Sequence, residues 1–147
     1  MNFSDLRADY FDNMLRAKKG YAHVLDPICK QWRLTRNELD ILLFLYNNPD
    51  YDRATDIVTR RGIAKSHVSL SVSSLEERDF VIRCVDEHDR RTVHLQLSDV
   101  AKSIAKAGRD AQVAFFQLLY AGLTQEEVEQ WQGIIDKVSK NIAEMKL

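Results

Sequence analysis

The sequence predicts a mainly α-helical fold with one small β-hairpin, the hairpin following two short helices mid-chain and a long helix lying at either end. Three observations predict it. Apolar residues recur every three or four positions over both ends of the chain, as amphipathic helices require. The period changes to two only near Val81 and Val93, as in strands. With only 5 Gly and 2 Pro in 147 residues, the chain is too poor in turn formers for an all-β fold.

The elements follow in order. Phe3, Leu6, Tyr10, Met14, Ala17, Tyr21 and Val24 form the first helical stripe. Pro27 is expected to stop that helix, because proline drives the residue before it out of helical geometry; Asp26-Pro27 would then open a short separate turn through Trp32. Thr35 and Glu38 have the spacing of a capping box, so a new helix is expected from about Arg36 to Tyr46. It is apolar nearly all round and should be the central buried one, ended by Asn47-Asn48-Pro49-Asp50.

Ala54, Ile57 and Val58 mark a short helix stopped at Gly62, and Val68, Val72 and Leu75 mark a second from about Lys65 to Arg78. Two helices joined by a tight glycine turn read as a helix-turn-helix. Val81 to Val85 and the alternating Val93, Leu95 and Leu97 flank a polar tip over residues 86–91, a hairpin placed as a wing. Ser98 then caps a long helix with Val100, Ile104, Ala107, Ala111, Phe115 and Leu118 on one face, ending near Gly122. The last helix starts with a second capping box at Thr124 and carries Val128, Trp131, Ile135, Val138, Ile142 and Met145 in strict three-four alternation. Such a heptad seam calls for another helix, from the chain's own ends or from a second subunit.

Composition excludes several classes. The 21 basic residues balance 22 acidic ones for a net charge of −1, so any charge that attracts nucleic acid must be local. Cys29 and Cys84 are far apart and lack a CxxC pairing, which removes a disulfide framework and a zinc ribbon. His23, His67, His88 and His94 never share a helix at i, i+4 spacing, so no metal is expected. There is no GxSxG, P-loop, HExxH or glycine-rich dinucleotide turn, and the pairs Glu126-Glu127 and Asp86-Glu87 read as a helix start and a turn. Neither an enzyme nor a cofactor is expected. The N-terminus lacks a signal-peptide pattern and the longest apolar run, Ile41 to Tyr46, is short, so the expectation is a soluble, cytoplasmic protein with no membrane partner.

The informative stretch is the second helix of the pair. No acid occurs between Ile57 and Leu75, while Arg60, Arg61 and Lys65 do. With Val68, Val72 and Leu75 inward, helical projection turns Ser66, Leu70, Ser73 and Ser74 outward and puts His67 and Ser69 on the flanks. Small hydroxyls allow close approach to a DNA groove, and Leu70 suits a thymine methyl; a merely solvated surface helix is the alternative. At the hairpin tip, Arg90 and Arg91 can enter a minor groove, with Asp89 expected to hold a neighbouring guanidinium by paired hydrogen bonds. Ordinary turn chemistry is the alternative there.

In order and residues the chain resembles the MarR family of bacterial winged helix-turn-helix transcriptional regulators. The resemblance is carried by Leu34-Thr35, the run Gly62-Ile63-Ala64-Lys65-Ser66-His67-Val68-Ser69, the run Leu75-Glu76-Glu77-Arg78-Asp79-Phe80-Val81, Asp89-Arg90-Arg91, and Leu95-Gln96-Leu97-Ser98. It implies a single domain over 1–147, with dimerisation helices in 1–33 and 99–147 around a DNA-binding lobe over 34–98. It implies a homodimer seamed by Phe3, Leu6, Tyr10, Val128, Trp131, Ile135, Val138 and Ile142. Double-stranded DNA would be the partner, met by Lys65, Ser66, His67, Ser69, Leu70 and Ser73 in the major groove and by Arg90 or Arg91 in the minor. The family resemblance also places Tyr21, Trp32, Tyr46 and Phe115 around an effector cavity suited to a small apolar or phenolic ligand.

Three residues depart from the family pattern. Ala64 stands where a capping serine is frequent, which should weaken that helix start by about 1 kcal/mol. Leu70 replaces a frequent arginine, and Asp79 replaces a common glycine in a position where Asp tolerates a left-handed turn. Cys29, with Lys30 beside it to lower its pKa, is weighed as a redox sensor against the favoured reading of a small buried residue. The function expected is a DNA-binding, ligand-responsive repressor on a pseudo-palindromic operator. A winged-helix protein adaptor, suggested by the acidic Glu76, Glu77, Asp79, Asp86 and Glu87, and a small-molecule-binding protein remain the alternatives.

Overall fold

A computed structural model of the protein describes residues 9–145. The chain order is α1 (Asp9–Trp32), α2 (Arg36–Asn47), α3 (Ala54–Arg61), α4 (Lys65–Glu77), β1 (Val81–Val85), β2 (Val93–Leu97), α5 (Asp99–Leu119) and α6 (Gln125–Glu144). The strands form one antiparallel pair with Val81 opposite Leu97 and Val85 opposite Val93. This is a winged-helix fold.

The core forms around α2. Its start is fixed by the expected capping box: the Glu38 backbone N–H donates to Thr35 Oγ1 at 3.2 Å, and the Thr35 N–H donates to Glu38 Oε2 at 2.7 Å. Leu39, Ile41, Leu42 and Leu43 are fully buried, and α4 and α5 pack against this helix. Buried Ile57, Val68, Val72, Leu75, Val81 and Leu95 join α3, α4 and the hairpin to the same core.

Pro27 does not stop α1. The helix runs through it to Trp32, so the separate turn does not form. The missing hydrogen bond and the ring clash cost about 3 kcal/mol. Burial on both sides offsets that cost: Leu25, fully buried, contributes about 2 kcal/mol, and Ile28, Cys29 and Trp32 pack on the core beyond the proline. The helix ends instead at Arg33, which is left-handed with φ 51. There the Leu34 N–H donates to the Cys29 carbonyl at 2.9 Å, closing the helix end.

The inward face of α5 also differs from expectation. Ala101, Ile104, Ala105 and Gly108 are buried, whereas Val100 is 48% and Leu118 77% exposed. Small residues win this face because α2 lies too close for larger ones. A Cβ on Gly108 would sit 2.9 Å from Leu43 Cδ2. Helix α6 begins at its capping box on Thr124 but buries no residue in the monomer. No helix among the described residues is long and apolar enough to cross a membrane.

Candidate nucleic-acid interface

The turn between α3 and α4 is made by Gly62, which caps α3 in the left-handed region at φ 66. Arg60 and Arg61 occupy the last turn of α3, where positive charge suits the helix C-terminus. Arg60 also stacks on Tyr51, with Cζ 3.4 Å from the ring centroid. Ala64 is the N-cap of α4 and offers no side-chain bond, as its methyl must.

Helix α4 divides cleanly. Val68, Ser71, Val72 and Leu75 are buried, while Lys65, Ser66, His67, Ser69 and Leu70 are exposed, Leu70 at 72%. Ser73 is half-buried at the margin. Ser74, expected outward, turns in instead: its hydroxyl donates to Glu38 Oε1 at 2.6 Å. The reason is the buried Glu38 carboxylate, whose second oxygen needs a donor once the capping box has taken the first. This bond locks α4 to the start of α2.

The wing tip is organised by two carboxylates. Asp86 Oδ1 accepts the backbone N–H groups of His88 and Asp89 at 2.8 and 2.9 Å. Asp89 Oδ1 accepts the Arg91 N–H at 3.0 Å, and its Oδ2 accepts the Thr92 hydroxyl at 3.0 Å. Asp89 therefore supports the wing through backbone and hydroxyl bonds, not through a guanidinium, because both its oxygens are consumed by the turn. Arg90 and Arg91 are left exposed, with no ion-pair partner among the described residues.

Two clefts link these parts. One of about 270 Å³ lies between α3, α4 and β1, with Lys65 and Ser69 on its wall beside Thr55, Thr59 and Arg83. Another of about 280 Å³ brings Arg91 and Thr92 of the wing beside Arg53 and Thr55 at the start of α3. Arg53 was not singled out by sequence; its one signal was its place just before a helix. Its guanidinium bonds Asp56 at 3.3 Å, a pairing that also closes the α3 N-terminus.

The aromatic set expected around an effector is divided. Tyr21 and Phe115 meet edge to face at 5.5 Å, the Tyr21 hydroxyl accepts from Gln112, and Arg36 lies 5.1 Å over the Tyr21 ring. A cleft of about 170 Å³ opens beside Tyr21, between Arg36, Asp40, Arg61 and Ile63. Trp32 packs on Phe80 at 6.4 Å, and Tyr46 lines a different cleft with Asp52, Leu95 and Lys102. The four do not wall one cavity in the single chain.

Of the seam residues, Tyr10, Trp131, Val138 and Ile142 are exposed at 41%, 42%, 39% and 58%, and Val128 and Ile135 are half-buried. Phe3 and Leu6 lie outside the described residues. Burial pushes the Cys29 thiol above its ordinary pKa, against the opposing pull of Arg36; Lys30 does not lower it as expected, because its side chain is turned to solvent. Among the described residues no three His, Cys, Asp or Glu side chains gather as metal ligands.

Comparison with known proteins places this geometry. Residues 34–92 match the model of the MarR family. The fold matches the Staphylococcus aureus MepR–DNA complex at 20% identity and TM-score 0.75, over 94% of this chain and 98% of that one. A MarR family transcriptional regulator of Listeria monocytogenes complexed with 26mer DNA matches at 16% identity and TM-score 0.79, over 91% of this chain and 88% of that one. Staphylococcus aureus MarR in complex with salicylate and kanamycin matches at 16% identity and TM-score 0.76, over 98% and 97%. Residues 34–92, the winged-helix segment, thus match the MarR family model, and the chain as a whole shares the fold of these solved regulators.

Proposed function

We propose that the protein is a homodimeric transcription regulator that binds double-stranded DNA and represses until a small ligand releases it. The observation that carries this reading is the pairing of an exposed α4 face that carries no acid from Lys65 through Ser74 with a wing tip whose two arginines have no ion-pair partner among the described residues. In such a complex Lys65, Ser66, His67, Ser69, Leu70 and Ser73 would face the major groove. Arg90 or Arg91 would enter the minor groove, where negative potential concentrates. The DNA-bound relatives of the same fold support this docking.

The dimer reading draws on α6, whose apolar stripe is not buried by the described residues of the chain, Trp131, Val138 and Ile142 standing exposed. Two recognition helices related by a two-fold axis read half-sites about 10 bp apart. A ligand acting at the junction of α1, α2 and α5 would alter that spacing, since a shift of about 1–2 Å suffices to break register. The salicylate-bound relative supports an aromatic effector of modest size.

The test is to incubate the protein with fragmented bacterial DNA at near-physiological salt and sequence what is retained. Enrichment of one short palindrome is expected. Retention of nothing, or of every fragment alike, would turn the reading toward a protein adaptor.

A further inference from the structure

Asp52, His94 and Asp86 form a chain that ties the wing to the body of the lobe, and the DNA contacts above make no use of it. His94 stands on β2 with Nδ1 2.7 Å from Asp52 Oδ1 and Nε2 3.0 Å from Asp86 Oδ2. Asp52 lies just before α3, and its carbonyl accepts the Leu95 N–H at 2.7 Å, so that anchor is fixed to β2 by backbone as well. Asp86 is the residue whose other oxygen folds the tip by accepting the His88 and Asp89 amides. The carboxylate that shapes the arginine-bearing tip is therefore itself held by the imidazole.

The chemistry of that ring is two-valued. A neutral imidazole carries one N–H and can donate to only one of the two carboxylates, leaving a lone pair facing the oxygen of the other. The imidazolium donates to both. We infer that His94 is a positioning residue for the wing, whose protonated ring closes both links and holds the tip, and whose deprotonation releases one of them.

The surrounding charges leave the two carboxylates dominant. Lys102 shares the cleft with Asp52 but pairs with Asp99 at 3.6 Å. Arg53 is tied to Asp56, and Arg83, on the strand paired with β2, is tied to Glu76 at 2.7 Å. Across the hairpin the partner of His94 is Cys84, and Glu87 and His88 continue the tip beyond Asp86. Hydrogen bonding to Asp52 and then to Asp86 raises the His94 pKa above its ordinary value. The stability this gives is therefore present in full below the ordinary imidazole pKa and is lost as pH rises through the raised one. Losing that proton also removes the positive charge that offsets Asp52 and Asp86 beside the face proposed to meet phosphate, so DNA affinity moves the same way.

This inference rests on the DNA reading only for its last consequence, and its test separates the two. Trypsin cleavage after Arg90 and Arg91 reports wing opening, when normalised to an unstructured arginine peptide to remove the enzyme's own pH dependence. The wild-type ratio should rise about fivefold as pH passes from ~6 to ~9 through the His94 titration, followed by NMR of its ring proton. In His94→Gln the ratio should be pH-independent. Asp52→Asn should lower the His94 midpoint and shift the cleavage curve with it, which keeps the inference testable should His94→Gln fold poorly. A wild-type ratio that stays flat across the titration would overturn it. A mixed-sequence 30 bp duplex supplies the second arm, its affinity expected to fall about threefold or more over the same range and not in His94→Gln. No duplex binding at any pH, with the cleavage change intact, would fail the DNA reading and support the clamp. Binding that ignores pH while cleavage responds would overturn the clamp's role in DNA binding.

Discussion

At the scale of single residues, the lobe is held by polar groups that each satisfy two needs at once. Glu38 is the clearest: buried, it closes the capping box of α2 with one oxygen and anchors Ser74 of α4 with the other. Glu38→Ala should cost about 2–3 kcal/mol, since it removes two bonds to a charged acceptor and leaves donors unmet. Urea unfolding followed by circular dichroism measures it. Ala64→Ser should act in the opposite direction. The position is extended, at φ −55 and ψ 140, and lacks any side-chain cap, so a hydroxyl there should add about 1 kcal/mol. Cys29 should alkylate more slowly than a free thiol near neutral pH, because burial raises its pKa and lowers its thiolate fraction. Timed iodoacetamide labelling with mass spectrometry decides that; labelling at the free-thiol rate would remove the buried assignment.

At the scale of elements, what was legible in the sequence was whatever local chemistry dictates. The capping boxes at Thr35 and Thr124, the glycine stop at Gly62 and the period-two strands all formed where expected, because each is decided within a few residues. Asp79 does adopt the left-handed conformation, at φ 56. Pro27 and the α5 face were not legible, because distant packing decides them. Nothing near Pro27 tells that Leu25 and Ile28 will both find the core, and nothing near Gly108 tells that Leu43 will press against it. Ser74 escaped for the same reason, its partner lying on another helix. The α5 contact makes a prediction at this scale. Gly108→Val should destabilise by about 2 kcal/mol, because Leu43 is fully buried and cannot yield, even though glycine is the poorer helix former. A thermal melt that rises, or stays unchanged, would mean that α5 sits further from α2.

At the scale of the whole molecule, the lobe has its own core while α6 buries no residue among those described, and the functional claim depends on how that is resolved. Trp131, Val138 and Ile142 stand in a row, exposed among the described residues. Ile135→Asp should therefore yield a monomer with a folded lobe and DNA affinity reduced by at least about 100-fold, since a single half-site loses the gain from linked binding. Sedimentation velocity separates that outcome from simple unfolding. The claim that α4 and the wing together grip DNA is tested most directly on the palindromic duplex recovered by selection, by measuring affinity against salt for wild type and for Arg90→Ala/Arg91→Ala. The account predicts a loss of about tenfold or more, with a shallower salt slope and an unchanged melting temperature, because exposed arginines hold DNA and not the fold. Equal affinity and equal slope for the two proteins would contradict it.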